Sequence, residues 1–484
     1  MSTPTSIRNA SQPAALWADP YVVIGAGAAA LLFALCVFDV RLLNDGDTYW
    51  HLAAGDWMLR HAEVPHADPF SFSRSGAPWQ AHEWLAEIMM ALSFAWGGWN
   101  GVVTFYGFSL AATALLLVSA LRRFLSPTSL TVTLVLAFSC IAPNLLARPH
   151  ILVLPVIVAW TAALLRARDE GRAPSLWAAI LMLLWANLHG SFVFGFLLLA
   201  CFGLEALVES PADHRIRTLR QWALFAAASV AMAAITPQGP AGLVFPFKLM
   251  AMTSLRGVDE WRAMDFSSFN LFEVALAATL FVCFTRGVTI PPLRALLLVF
   301  LLHMALQHNR HAIVTALVAA LILAEPLARA LGQTRSTAAP PMANAWLGFA
   351  AIALVMITVR TSDPIVRTDG ATTPATALDH VPGALRTQNV LNEYDFGGYL
   401  IFRGVKPYID GRTDLYGDAF MDRYFQITRP DRGALEQTLR NAHVAWTIFS
   451  PASPVVDLMD SEAGWKRLYA DRFAVIHVRV PSAP

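Results

Sequence analysis

Charge is what this sequence lacks. Only 14% of its 484 residues are Asp, Glu, Lys or Arg, against 56% hydrophobic, and the mean hydropathy is +0.50. Ordinary soluble domains carry about a quarter charged residues, so the shortage excludes a conventional soluble domain and points to a polytopic membrane protein. The formal net charge of +1 gives no basic field of the kind that gathers a polyanion, and no nucleic-acid partner is expected. Cysteine is scarce as well. Cys36, Cys140, Cys201 and Cys283 all fall in apolar segments, where a thiol packs as a small hydrophobe, and no disulfide framework follows. Nucleotide fingerprints are missing: Gly397-Gly398 has neither the Lys-Ser/Thr ending of a phosphate loop nor the three-glycine spacing of a dinucleotide fold. Lysine is nearly absent, all but three of the 35 basic residues being arginine. With abundant alanine, that usage points to a GC-rich bacterial genome.

What is present is a succession of uncharged runs of about 17 to 19 residues, enough to cross most or all of a roughly 30 Å hydrocarbon core. They include Phe105 to Leu121, Ser129 to Ala147 and Ala343 to Val359. The first run, Tyr21 to Val40, is closed by no small-residue cleavage site and is expected to be a retained helix. The runs predict about eleven spans, at 21–40, 100–121, 128–146, 150–166, 174–188, 190–208, 221–235, 268–285, 290–306, 311–331 and 343–360. Arg122-Arg123, Arg166 to Arg172, His214 to Arg220, Arg286 and Arg335 recur at alternate helix ends. Under the positive-inside rule these mark cytoplasmic loops, which puts the N-terminus inside and the C-terminus outside. Glu205 and Glu273 lie near helix ends and are expected at the interface.

His82 to Trp96 is short for a span and carries Glu83 and Glu87. Counting it as a crossing would invert every later loop. With Asp47 to His61 it is expected instead to lie along the outer interface, anchored by Trp50, Trp57, Trp79 and Trp84. The first external loop then spans 41–99 within a membrane domain of 1–360, followed by an extracytoplasmic α/β domain over 361–484.

The unusual polar residues gather on one side of this arrangement. The first loop contributes Asp45, Asp47, His51, His82 and Glu83, and the next outer turn Arg148 and His150. Asn187 and His189 follow, then Gln238 to Arg262, then His308, Arg310 and His311. Ionisable groups near a membrane are costly unless they line a wet cavity or have partners, so one external polar site between helices is the economical reading. Plainer roles compete. Asp47 precedes a helical stretch and would serve as its N-cap, which favours Asp45 for chemistry. Arg148 and Arg310 would also suit lipid headgroups.

The tail alternates short strands and helices. Strands are expected at 389–392, 407–410, 444–449, 466–470 and 473–480, with helices opening after Asp395 and over 417–428 and 433–441. At one strand end, Asp410, Arg412 and Asp414 surround two glycines. Such a loop either contacts sugar hydroxyls or phosphate or simply shapes itself through Asx turns.

The layout of a first helix, an acidic external loop, interfacial helices, many further spans and a final external α/β domain resembles the GT-C superfamily of membrane glycosyltransferases. Asp47-Thr48-Tyr49-Trp50-His51, His82-Glu83-Trp84-Leu85, Asn187-Leu188-His189-Gly190 and Asn392-Glu393-Tyr394 look like a bacterial branch related to the dolichyl-phosphate-mannose and aminoarabinose transferases. In place of the Pro-Pro pair typical of those enzymes stands His82-Glu83-Trp84.

The resemblance implies an inverting transfer of sugar from a polyprenyl-phosphate donor to an extracytoplasmic acceptor, at a bacterial inner membrane. Asp45 or Asp47 would be general base, and Arg148, His308, Arg310 and His311 would hold the donor phosphate. His51, His82, Glu83, Asn187, His189, Asp410, Arg412 and Asp414 would line the substrate. No cofactor is expected, although Asp45, Asp47 and His51 are conceivable ligands for a divalent metal. The rival readings are a non-catalytic binder or scaffold for lipid-linked saccharide and a transporter. The latter would want charged or broken helices at mid-membrane and an internal repeat.

Overall fold

The computed structural model describes residues 19–333 and 342–480. Arg335 and the polar stretch before Asp19, both used in the topology above, lie outside them. Asp19 caps the first helix, α1 (Pro20–Phe38), its carboxylate accepting the Tyr21 N–H at 2.7 Å. Pro20 opens the helix where a missing N–H costs nothing. There follow α2 (Asp47–His61), α3 (Trp84–Leu121), α4 (Pro127–Ile141), α5 (Pro149–Asp169) and α6 (Leu176–Leu188). Then come α7 (Phe192–Glu209), α8 (Arg215–Ala233), α9 (Leu271–Arg286), α10 (Pro292–Gln307), α11 (Asn309–Ala330) and α12 (Ala343–Thr361). A helix thus occupies every stretch expected to span. Six of them, α1, α3, α5, α7, α11 and α12, are long and apolar enough to cross a membrane, while α4, α6 and α10 are apolar but shorter. The chain is a polytopic helical membrane protein.

Helix α3 is broken where the interfacial segment was expected to end. Gly97 leaves helical geometry and Gly98 takes φ 56°, ψ −142°, a left-handed backbone that only glycine adopts cheaply. Beyond it, Val102, Val103, Tyr106 and Leu110 are buried against Val22, Phe33 and Cys36 of α1 and against Leu154 and Ile157 of α5. At the far end of the bundle Glu205 departs from expectation. It is buried, with Arg294 Nε 3.0 Å from both of its oxygens and Arg168 at 2.8 Å. A carboxylate there is retained because it is paired.

After α12 comes a four-stranded sheet of β1 (Val390–Asn392), β2 (Trp446–Phe449), β3 (Trp465–Ala470) and β4 (Val475–Arg479), in the order β1-β2-β4-β3. The first pair is parallel and the others antiparallel. Helices at Gly397–Phe402, Asp418–Ile427, Arg432–Asn441 and Pro454–Asp460 surround it. The strand expected over 407–410 does not form. Pro407, without an N–H, makes a single bridge to Val390. The Asn392 carboxamide then takes over from the ladder, accepting the Tyr408 N–H at 2.8 Å and donating to the Ile409 carbonyl at 2.8 Å. Released from pairing, the chain turns into the Asp410–Asp414 loop.

The first loop and the C-terminal region share their cores. Trp50, Met58 and Trp79 pack with Ile409, Tyr416 and Met421, and Tyr49 packs with Leu378, Phe396, Leu400 and Trp446. Their backbones also touch: a side chain at Gly398 would collide with the Gly46 carbonyl, and one at Gly46 with the Asp395 carbonyl. A fully buried clasp spans the same seam. Arg412 binds Asp410 at 2.8 Å and 2.7 Å and Asp68 at 2.7 Å, with its guanidinium stacked on Phe70 and Trp79.

Candidate active site

Between the bundle and the C-terminal region lies a cavity of about 650 Å³. Its polar wall is built from segment ends: the turn before α2, the turn before α5, the α6–α7 turn, the loop before α9 and the start of α11. The opposite wall comes from Glu393 to Asp395 and Gly411 to Asp414. Val153, Ile157, Val193, Ile313 and Val314 add an apolar side.

The centre is one guanidinium held by three carboxylates. Arg148 Nε lies 2.7 Å from Asp45 Oδ2, and its terminal nitrogen lies 2.6 Å from Asp45 Oδ1, a bidentate pair. The other terminal nitrogen lies 2.7 Å from Glu260 and 3.1 Å from Asp47. Asp45 is further fixed by the Thr48 hydroxyl at 3.3 Å. Asp47 does not take the capping role that its position also suggested. The cap position is Gly46, no side chain caps α2, and Asp47 is its first helical residue. Its carboxylate faces the cavity and lies against Gly411.

Burial pushes the Asp47 carboxyl up to about 7; Arg148 opposes the rise, and the negative charges of Asp45 and Glu260 add to it. Burial would also raise Glu260, but Arg148 and Arg310 together hold it down at about 2. Two carboxylates on one arginine are thereby driven apart in proton affinity, the arrangement that separates acid from base roles in enzymes.

Arg310 is the second cation. One terminal nitrogen lies 3.2 Å from Glu260 and the other 3.4 Å from His189 Nε2. Its guanidinium stacks 4.5 Å above Trp261. His311 lines the cavity, and its buried Nε2 has no hydrogen-bond partner. His308 is turned away to the Trp261 carbonyl, 2.7 Å from its Nδ1, so it supports the ring under Arg310.

The remaining expected residues divide. His51, His82, Glu83 and His189 reach the cavity. Glu83 lies 3.4 Å from His189, 3.8 Å from His82 and 3.8 Å from His51. Burial raises Glu83 to about 8 and lowers His82 to about 4. Asn187 is occupied elsewhere, accepting from Trp84 Nε1 at 2.7 Å and donating to the Ile235 carbonyl at 2.9 Å. Asp410 and Arg412 are spent on the buried clasp, which leaves Asp414 as the acid of that loop on the cavity wall. Burial lifts Asp414 to about 6.

Two participants were not singled out from the sequence. Glu260 sat unremarked in the Gln238 to Arg262 turn, where its place beside Trp261 and Arg262 was the only signal. Glu87, four residues after Glu83 and so on the same helical face, was read only as a reason against a crossing.

No protein-family model and no curated protein matches the sequence. Solved structures do match in shape. ArnT from Cupriavidus metallidurans, bound to undecaprenyl phosphate, superposes with a TM-score of 0.51 at 12% identity, over 96% of this chain and 99% of that one. The chain has the GT-C fold. The Archaeoglobus fulgidus oligosaccharyltransferase is also similar. Its apo form gives a TM-score of 0.50 at 12% identity over 89% of this chain and 70% of that one. The form tethered to an acceptor peptide gives 0.51 at 11%, over 89% and 69%.

Proposed function

We propose that this protein is an inverting glycosyltransferase that moves a sugar from a polyprenyl-phosphate donor to an extracytoplasmic acceptor hydroxyl, with Asp47 as general base. The observation that carries the reading is the meeting, in one cavity, of a carboxylate with raised proton affinity, a cation not saturated by acids, and an apolar wall. Asp47 takes the proton from the acceptor hydroxyl as that oxygen bonds to the anomeric carbon. The bond from that carbon to the phosphate oxygen breaks, and the electron pair leaves with the polyprenyl phosphate. Arg310, with the unpartnered Nε2 of His311, holds the departing anion. Arg148, engaged by Asp45, Asp47 and Glu260, serves to fix the carboxylates and leaves the phosphate to Arg310. Asp414, on the wall of the same cavity, serves as a sugar or acceptor contact. The hydrocarbon of the donor lies along Val153, Ile157 and Ile313.

The bound undecaprenyl phosphate of ArnT and the acceptor peptide of the archaeal enzyme support a lipid-linked donor and an external acceptor. The proposed setting is a bacterial inner membrane, with the N-terminus cytoplasmic and residues 361–484 in the periplasm. The test is to present a panel of polyprenyl-phosphate sugars to the protein in lipid nanodiscs, with and without envelope acceptors, and follow free polyprenyl phosphate by mass spectrometry. Release is expected from the wild type and not from Asp47→Asn. Donor binding without release across the panel would replace catalysis by the binding-scaffold reading.

A further inference from the structure

Arginines at the end of the bundle away from the cavity are of two kinds. Helix α7 leaves the cavity wall at Phe192, and its 18 residues carry the chain to that opposite end at Glu209. There Arg166, Arg168, Arg172, Arg294 and Arg329 are each paired with a carboxylate. Arg217 and Arg220, in the first two turns of α8, are exposed, and among the described residues neither meets an acid. The acids closest in sequence are engaged elsewhere, Glu209 lying 2.5 Å from Arg168 and Asp213 3.3 Å from His214. Three residues apart on one helix, the two free guanidinium groups share a face.

Toward the membrane interior the surface beside them turns apolar. Asn187, near the end of α6, donates to the Ile235 carbonyl just past the end of α8 at 2.9 Å, and α8 also packs on the first turn of α6. The two helices therefore run side by side in the same direction. Counting back equally along both from the Asn187 contact brings Leu224 level with Leu176 and leaves Arg220 and Arg217 about one and two turns further out. Leu176, Ile180 and Leu184, spaced by four on one face of α6, are exposed, as is Leu224, and Trp177 is 84% exposed.

We propose that the adjoining faces of α6 and α8 bind an anionic phospholipid, its phosphate held by Arg217 and Arg220 and its acyl chains lying along Leu176, Ile180 and Leu184. The depths agree. One helical turn is about 5.4 Å, comparable to the roughly 5–8 Å thickness of one headgroup layer, so the guanidinium groups reach phosphate where the leucines reach hydrocarbon. Trp177 suits the boundary between the two. Arginine presents a donor fork that matches phosphate oxygens. A headgroup without an ammonium of its own leaves that phosphate charge uncompensated, so two arginines select it over a zwitterionic lipid.

The site lies away from the transfer cavity, and lipid binding is read without turnover, so the proposal does not depend on the activity. Full-length protein in non-ionic detergent micelles is doped with phosphatidylglycerol, with phosphatidylcholine of the same chain length, or with soluble glycerol phosphate as a headgroup without chains. Retained ligand is measured by native mass spectrometry alongside the melting temperature. The wild type is expected to retain phosphatidylglycerol at least about tenfold over the other two and to melt higher with it. Combining Arg217→Gln with Arg220→Gln should weaken that retention at least about tenfold, while Arg286→Gln, at the end of α9, should leave it unchanged. Should the double variant fail to fold, salt gives the second measurement. The wild-type gain in melting temperature should shrink between about 0.1 M and 1 M salt, as the screening length falls from roughly 10 Å to 3 Å. Equal retention of the two lipids or of glycerol phosphate, a salt-independent gain, or a double variant that binds like the wild type would overturn the site, as would an equal loss in Arg286→Gln.

Discussion

Gly411 lies directly against the carboxylate of Asp47: a methyl group added to Gly411 would collide with Asp47 Oδ1 and crowd Oδ2. The C-terminal region therefore sets the position of the proposed base, and neither part of the chain makes the site alone. The Gly411→Ala variant should push Asp47 out of line with little loss of global stability. Misplacement of a reacting group by about 1 Å costs on the order of a hundredfold in rate. A fall of that order in lipid-phosphate release, at a melting temperature within a few degrees of wild type, is the expected result.

Asp45 and Asp47 should separate in their mutants. Asp45→Asn removes the bidentate partner of a buried arginine, a change that costs about 3 kcal/mol or more when a paired charge is stranded. Asp47→Asn removes only a third, longer contact at 3.1 Å. Thermal melts in detergent should show a clear drop for Asp45→Asn and little for Asp47→Asn, while only the second leaves a folded protein without turnover.

The proton affinity of Asp47 predicts opposite trends for rate and stability. Transfer should rise with pH through a midpoint near 7, where the base ionises. Its value in the folded protein stands above the unfolded value of about 4. The stability it contributes is thus present at low pH and lost as pH rises from about 4 through about 7. The downward slope of melting temperature across this window should be shallower in Asp47→Asn. Glu260→Gln removes a negative neighbour that raises Asp47 and should move the rate midpoint lower. A midpoint that stayed put would exclude Asp47 as the titrating base.

The buried clasp should matter for assembly more than for chemistry. Asp68→Asn leaves Arg412 with half its compensation and should cost about 3 kcal/mol. Limited proteolysis should then cut between α12 and β1 faster than in the wild type.

The fold was legible wherever composition alone decides it. Uncharged runs marked the helices, while the break at Gly97-Gly98 emerged only from the backbone. Pro407 misled because its neighbours have strand character, and only the Asn392 carboxamide, 16 residues away from Tyr408, explains why no ladder forms. The site was legible as a gathering of polar residues on one side, but their pairing was not. Arg148 meets Glu260 across 112 residues, and Arg412 meets Asp68 across 344. Nothing local distinguishes an arginine that will bind phosphate from one already claimed by carboxylates. Capping competed with catalysis for Asp47 for the same reason: its position beside a helix was visible, but the cavity it faces was not.

The contact of Gly46 with Gly398 restricts how the cavity can admit a substrate. Two backbones that meet without side chains between them leave no layer to shear, since sliding would drive the next side chain of either helix end into the opposite main chain. Asp418 adds a second tether, accepting the N–H groups of Thr253 and Ser254 at 3.2 Å and 2.9 Å in the loop that carries Glu260. An acceptor larger than the present opening must part these two seams like the covers of a book, and Arg148 with its three carboxylates would stay on one cover while Gly411 draws away from Asp47 on the other.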